Sequence, residues 1–277
     1  MSEPQSTLSP SDPQFEAAFG VELQRAADAQ RLLVALDFDG TLAPFTEDIS
    51  ASRAVDSAEA ALAELATMDS TWVAVISGRT MDFLHEVVDP HRRMLLSGSH
   101  GGEYDLSVLG PEAASSGIEL SPEQRSVLDQ AVAATRQLVA KYPGATAEYK
   151  PGGVAFHTRT MENLADSDTA LATMNAEFSA LEGLSITPGE MVMECSVLTS
   201  DKGEAVTALI HAVSPDVTIF AGDDVTDEYG LAALRPEDLG IKVGPKDTVA
   251  PFRVTDPEAM GEVLAQLTAL RRRHLTP

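Results

Sequence analysis

The apolar positions of this chain fall into two periods. Residues 32–36, Leu-Leu-Val-Ala-Leu, form an unbroken apolar run, the pattern of a strand buried on both faces. A second such run lies at 72–76, with a shorter one at 94–96, and the segments 216–221 and 239–243, apolar except for Asp216, Thr218 and Lys242, are also predicted strands. Between them the period becomes helical. Val55, Ala58, Leu62, Leu65 and Ala66 mark one face of a helix within 52–69. Further helices are predicted from Thr80 to about Val88, from Asp201 to about Val213, and over 258–270. Strands alternating with helices predict an α/β domain with a parallel sheet and crossover connections.

The alternation breaks between about 112 and 193. Ser121-Pro122-Glu123 reads as an N-cap followed by proline in the first turn, opening a helix that runs to Lys141 and stops at Pro143-Gly144. Two strand-like pieces follow, 146–150 and 153–159, around the turn Pro151-Gly152-Gly153. A second helix at about 161–179 precedes two more strand-like pieces near 184–187 and 190–194. The expected division is a core of residues 21–111 and 195–277 interrupted by a smaller α+β domain of residues 112–194. Residues 1–20, whose first dozen are rich in Ser and Pro, are expected to be a disordered lead-in.

Composition narrows the function classes. The 277 residues are 44% hydrophobic and 22% charged, enough apolar content for a sizeable core. Acidic residues outnumber basic ones by 43 to 19, for a net charge of −24. Such a surface repels nucleic acid and anionic membranes, so neither is expected as a partner. It equally repels a phosphorylated substrate unless cations gather locally. No apolar stretch approaches the roughly 18–20 residues of a membrane helix, and the first residues lack the pattern of a signal peptide. The one cysteine, Cys195, rules out an internal disulfide and a multi-cysteine metal site, and reads as a small buried residue. A cytoplasmic monomer is the expectation.

Candidate chemistry gathers where the predicted strands end. Asp37 and Asp39 follow the first strand one residue apart, and strand alternation would point both the same way, opposite to Phe38. Gly40 then allows a turn at the carboxyl end of the strand, where open α/β sheets place ligands. Two acids that close repel unless a cation or a shared proton intervenes, which suggests a Mg²⁺-assisted site with a nucleophilic carboxylate beside a proton-transferring one. Ser77 and Gly78 end the second strand at a helix start, a favourable place for phosphate. Lys202 opens another helix, and Asp223, Asp224 and Asp227 follow the strand 216–221. Each feature alone has an ordinary explanation as a loop, a surface lysine or an acidic helix start. Four together, each at a strand end or helix start, do not.

In this order the segments Asp-Phe-Asp-Gly-Thr (37–41), Ser77, Lys202 and Gly-Asp-Asp-Val-Thr-Asp-Glu (222–228) resemble the four motifs of the haloacid dehalogenase superfamily. Ile76-Ser-Gly-Arg79, Gly98-Ser-His-Gly-Gly-Glu103, Asp201-Lys-Gly203, Phe220 to Glu228 and Gly240-Ile-Lys-Val-Gly244 are similar to signatures of the trehalose-6-phosphate phosphatases within it. The similarity covers about residues 30–270. It implies a doubly wound, Rossmann-like parallel sheet with an inserted α+β cap, and hydrolysis of trehalose 6-phosphate in trehalose biosynthesis.

The resemblance also implies roles. Asp37 would attack phosphorus and become an aspartyl-phosphate. Asp39 would protonate the leaving oxygen and then take a proton from water. Mg²⁺ would be held by the Asp37 carboxylate, the Asp39 backbone carbonyl and Asp223, with Asp224 or Asp227 in support. Ser77, Gly78 and Lys202 would hold the phosphoryl group. Glu148, Lys150, His157 and Arg159 fit a cap pattern of Glu-x-Lys followed by His-x-Arg, and alternation would pair Glu148 with Lys150 and His157 with Arg159. Glu194, Arg79, His100, Gly101 and Glu103 are further candidates for the sugar. Cys195-Ser196-Val197 after Glu194 departs from the Arg-Pro expected of many relatives. The same core motifs would also serve another sugar phosphate, such as sucrose phosphate or a glycosyl-phosphoglycerate, or a non-catalytic sugar-phosphate sensor.

Overall fold

The structure, a computed structural model, describes residues 7–12, 14–46, 51–110, 113, 120–198 and 201–276. The chain divides into two compact units, residues 1–116 with 200–277, and residues 117–199.

The first unit is built on β1 (Leu32–Leu36), β2 (Thr71–Ile76), β3 (Leu95–Gly98), β4 (Glu103–Asp105), β9 (Val217–Gly222), β10 (Leu239–Val243) and β11 (Phe252–Val254), in the order β11-β10-β9-β1-β2-β3-β4. All neighbours are parallel except β4, which runs antiparallel to β3. β1 is central because every one of its side chains is buried. Leu32, Val34 and Leu36 belong to one core, with α1 (Phe15–Ala27), α2 (Asp56–Leu65) and α8 (Pro257–Leu275). Leu33 and Ala35 belong to the opposite core, with Ala205 and Leu209 of α6 (Lys202–Val213). Two cores on two faces of one parallel sheet make the expected doubly wound arrangement. The connection from β2 to β3 is a short α3 (Met81–Phe83) running into a π-helical turn, Leu84–Val88, and α7 (Asp227–Ala232) follows β9.

The expected disordered lead-in does not extend to residue 20. α1 begins at Phe15, and Phe15, Phe19 and Leu23 are buried with period four. Phe19 meets Phe252 of β11 edge-on at 5.1 Å, and Leu8 pairs with the same strand. Two aromatics and an aliphatic on one face outweigh the Ser and Pro that precede them. Residues 1–6 and 13 lie outside the described residues.

The second unit contains α4 (Pro122–Lys141), β5 (Thr146–Lys150), β6 (Gly153–His157), α5 (Ser167–Ser179), β7 (Ser185–Gly189) and β8 (Val192–Ser196), its sheet antiparallel in the order β5-β6-β8-β7. Ser121 caps α4 in a capping box with Gln124. One sheet face, with Val154, Phe156, Met193 and Cys195, packs against Leu138, Met174 and Phe178 of the helices. The expected boundary at 194/195 would cut β8, which pairs through Ser196; the unit extends to residue 199. The boundary expected at 111/112 falls on residues that are not described. β6 ends at His157, so Arg159 lies in a turn and does not continue the alternation.

Arg271 of α8 ties the first unit together from its buried side. Its guanidinium is fully buried and donates to Thr71 Oγ1, to the carbonyls of Ala27, Ala29 and Gln30, and to that of Ser70. Replacing it leaves several buried acceptors without a donor, each costing about 1–3 kcal/mol. Arg271→Met should therefore destabilise the fold by roughly 3 kcal/mol or more, measured as a lower denaturation midpoint at constant m-value.

Candidate active site

The candidate residues of the first unit collect where β1, β2 and β9 end. β1 stops at Leu36, yet Asp37 N–H still reaches the Ala221 carbonyl of β9 at 3.0 Å, so Asp37 is held as if in the strand. The chain then turns: Gly40 adopts φ +87°. A Cβ there would come within 2.5 Å of the Asp223 carboxyl, so glycine is what lets the two strand ends approach.

Lys202 is the first residue of α6. Asp201 caps that helix, accepting from Gly203 N–H at 2.8 Å and Glu204 N–H at 2.9 Å. The Lys202 ammonium is buried and donates at 2.6 Å to both Asp37 Oδ1 and Asp227 Oδ1. Asp227 Oδ2 accepts the backbone N–H groups of Asp223 at 3.0 Å and Asp224 at 2.9 Å. Asp227 thus serves two ends: it pairs with the lysine and fixes the loop that carries Asp223.

Asp37, Asp223 and Asp227 can each turn an oxygen to a common centre, the ligand atoms lying within 4.8 Å of one another, and all three are buried. Burial, then the charge of Asp227, pushes the Asp37 carboxyl well above its ordinary value, with Lys202 opposing. Burial and Asp227 likewise push Asp223 up to about 6. Burial disfavours the charge on Lys202, but Asp227 and Asp37 outweigh it and its pKa is raised. Lys202 lies among three carboxylates, and a further ammonium near Asp223, that of Lys246 at 3.9 Å, is shared with Asp224, so the cluster is short of positive charge. Its donors are all hard oxygens, and Asp223 accepts no hydrogen bond among the described residues. The set fits a divalent cation of the Mg²⁺ or Ca²⁺ kind, with Asp37, Asp223 and Asp227 as the carboxylates within reach of one centre.

The other candidates fall around this cluster. The structure does not bring the Asp39 carboxylate into it; Arg79 pairs with Asp39 through two hydrogen bonds and Ser52 Oγ adds a third. β1 has already ended at Leu36, so strand alternation does not by itself fix where the Asp39 carboxylate points. Asp224 is half-exposed and paired with Lys246 at 2.6 Å. That hydrogen bond lowers its pKa against the opposing effect of burial, the larger single cause. Ser77 is buried at the end of β2, its Oγ accepting Arg79 N–H at 3.2 Å. Glu103 on β4 accepts from Ser99 Oγ at 2.8 Å. Gly101 adopts φ +96°, and a Cβ there would meet the Asp201 carbonyl at 3.0 Å, so this turn packs on the cap of the lysine-bearing helix. The His100 side chain lies outside the described residues.

In the second unit, Glu148, Lys150, His157 and Glu194 stand on the sheet face away from its core, as the register Glu148↔Ala155↔Glu194 requires. Lys150 pairs with Glu194, and Glu148 lies 3.9 Å from His157. Cys195 points into the core, where burial pushes its thiol up to about 12; it is an inert apolar group, as expected.

The sequence profile of the trehalose-phosphatase family matches residues 35–258, most of the chain. The chain belongs to the trehalose-phosphatase family. It is 33% identical over 244 residues to a bifunctional trehalose-6-phosphate synthase/phosphatase of Thermoproteus tenax, covering 87% of this chain and 32% of that protein. It is 30% identical over 251 residues to a trehalose-phosphate phosphatase of Mycobacterium marinum, covering 86% and 62%. The chain therefore spans about a third to three-fifths of these relatives' lengths. Its fold superposes on the C-terminal domain of a Candida albicans trehalose-6-phosphate phosphatase with a TM-score of 0.73 at 22% identity, over 91% of this chain and 97% of that one. A trehalose-6-phosphate phosphatase related protein gives 0.71 at 25% identity, over 87% and 99%.

Two residues make contacts at the site that pattern reading missed. Lys242 stands in an otherwise apolar strand and is fully buried; it donates to Glu228 Oε1 at 2.7 Å and to the Asp224 carbonyl at 3.1 Å, bracing the acidic loop from β10. A lysine inside a buried run was the available signal. Ser52 had none.

The charge deficit has a measurable consequence. In the cation-free protein the raised Asp223 keeps a proton that the unfolded chain has already lost at the same pH. That contribution to stability is complete below about 3.8 and is lost as pH rises through about 6. A divalent cation binds the ionised form and must displace protons at lower pH. Added Mg²⁺ should therefore raise the unfolding temperature more at about pH 7.5 than at about pH 5, read by thermal melts. Gly40→Ala, which displaces Asp223, should abolish most of that increase.

Proposed function

We propose that this chain hydrolyses trehalose 6-phosphate to trehalose and phosphate, with Mg²⁺ as its cation, and that it does so in trehalose biosynthesis. The observation that carries the reading is the buried Asp37–Asp223–Asp227 cluster with Lys202 against Asp37, in a chain of this family. Asp37 and Asp223, with the Asp39 carbonyl, would hold the cation. When bound it neutralises charge on the phosphoryl oxygens.

Asp37 attacks phosphorus, forming a carboxylate oxygen–phosphorus bond as the bond to the sugar oxygen breaks. Asp39 gives that oxygen its proton, then accepts one from the water that attacks the aspartyl-phosphate. Ser77, Gly78 and Lys202 bind the transferring group. Lys202 in particular offsets the repulsion that a chain of net charge −24 exerts on an anion. Glu148, Lys150, His157, Arg159 and Glu194 bind sugar hydroxyls, supported by the shared polar sheet face of all but Arg159. His100, Gly101 and Glu103 remain assigned to the substrate as well. The single cysteine, a buried thiol, supports a cytoplasmic setting.

Phosphate release measured over a panel of sugar phosphates should be greatest for trehalose 6-phosphate, cease with EDTA and return with Mg²⁺. Asp37→Asn should lower turnover by at least roughly 10³-fold. Equal rates across sucrose phosphate, glycosyl-phosphoglycerate and trehalose 6-phosphate would defeat the substrate assignment. Undiminished turnover in Asp37→Asn would defeat the nucleophile.

A further inference from the structure

Arg79 was expected at the sugar, but its guanidinium is engaged elsewhere. Nε donates to Asp39 Oδ2 at 2.7 Å and Nη2 to Asp39 Oδ1 at 2.6 Å. Such a two-on-two pairing fixes a carboxylate in plane and angle as well as distance. Ser52 Oγ donates to Asp39 Oδ1 at 3.1 Å. The arginine is itself held from several sides. Its backbone N–H reaches Ser77 Oγ at 3.2 Å, and its carbonyl accepts Ser99 N–H at 2.9 Å. Its guanidinium carbon lies 4.5 Å from the centre of the Phe83 ring. Phe83 meets Phe38 edge-on at 5.7 Å, and Phe38 stands between the two motif aspartates. The Arg79 side chain is only 12% exposed and that of Asp39 28%, so the pair is not one of the loosely solvated surface contacts worth little.

We infer that Arg79 is the positioning residue of Asp39, holding its carboxylate in one orientation while protons pass to the leaving sugar oxygen and from the attacking water. The inference rests on the role proposed above for Asp39. In the first step the electron pair of the breaking phosphorus–oxygen bond stays with the sugar oxygen, which takes the Asp39 proton. In the second, Asp39 recovers a proton from water as the water oxygen bonds to phosphorus and the bond from phosphorus to Asp37 breaks, which frees phosphate and restores the Asp37 carboxylate. Both transfers need one oxygen of Asp39 aimed at the reacting atoms. The fork, anchored through Ser77, Ser99, Phe83 and Phe38, ties that aim to the ends of β2 and β3 without contact between Arg79 and the substrate.

The test compares two leaving groups. A sugar oxygen must be protonated as it departs, whereas p-nitrophenolate leaves without a proton. The ratio kcat/KM covers events up to that departure, so it excludes the later attack by water. Arg79→Met should lower kcat/KM for trehalose 6-phosphate by about 10²-fold, chiefly in kcat, and for p-nitrophenyl phosphate by less than about fivefold. Arg79→Lys, which keeps charge but cannot fork, should fall between Arg79→Met and the unaltered protein. The double variant Arg79→Met/Asp39→Asn should match Asp39→Asn alone within about twofold, because the two residues act as a unit. Equal losses on both phosphates would show a general structural role, and a change in KM alone would show a sugar contact. Either result, or losses that multiply in the double variant, overturns the inference. Thermal melts establish that the variants fold; should Arg79→Met not fold, Arg79→Lys carries the same comparison. No turnover by the unaltered protein overturns the phosphatase reading, and undiminished turnover in Asp37→Asn overturns its nucleophile; either takes this inference with it. The Arg79 outcomes overturn the inference alone.

Discussion

The first unit converges on one buried ammonium between two carboxylates. Lys202 reaches Asp37 and Asp227 at 2.6 Å each, and those three residues come from the end of β1, the start of α6 and the start of α7. Removing such a charge from water is costly, and the cost is recovered only if every partner is held in place. The surroundings meet that condition in succession. Asp201 sets the helix that presents the lysine, Asp227 spends its second oxygen on backbone N–H groups, and Lys242 braces the same loop from the neighbouring strand. With Asp223 added, negative charge still exceeds positive, and the excess is what suits the cluster to a small divalent cation.

The fold was largely legible because its signals were of the strongest kind. A fully apolar β1 and the largely apolar runs after it could be read as a buried parallel sheet, and Ser121 followed by Pro122 announced the start of α4. What the pattern could not show was structure made of few residues or fixed from a distance. β4 and β11 are three residues each, too short for a period. α1 was hidden by the polar composition before it, since its partners, Phe252 and the residues of α8, lie at the other end of the sequence. The insert's last strand was cut short because nothing in Cys195-Ser196 marks an edge; only pairing with β6 and β7 does.

The site shows the same division. Identities that chemistry demands, such as Asp37, Lys202 and Asp223, stood out in the sequence, and the structure gathers them. Directions did not. Strand alternation has no hold past Leu36, where β1 ends, and the partners that hold the Asp39 carboxylate, Arg79 and Ser52, come from other segments. Asp227, expected as a supporting ligand, stands in the cluster, and its bonds to Lys202 and to the loop could not be read from its position in the sequence. A residue's type can be inferred from what a reaction needs; its hydrogen-bond partners depend on elements that meet only after folding.

The guanidinium of Arg271 bears on the order in which this chain can assemble. It closes on carbonyls at residues 27–30 and 70, across a separation of up to 244 residues, and β1 waits similarly for β9. Contacts so distant along the chain make folding slow and late. During synthesis β1 and β2 emerge before β9, the other neighbour of β1, has been made, whereas the sheet of the insert draws on β5 to β8 alone. For that interval one edge of β1 lacks its partner strand, and the apolar face that α8 covers in the folded unit is bare.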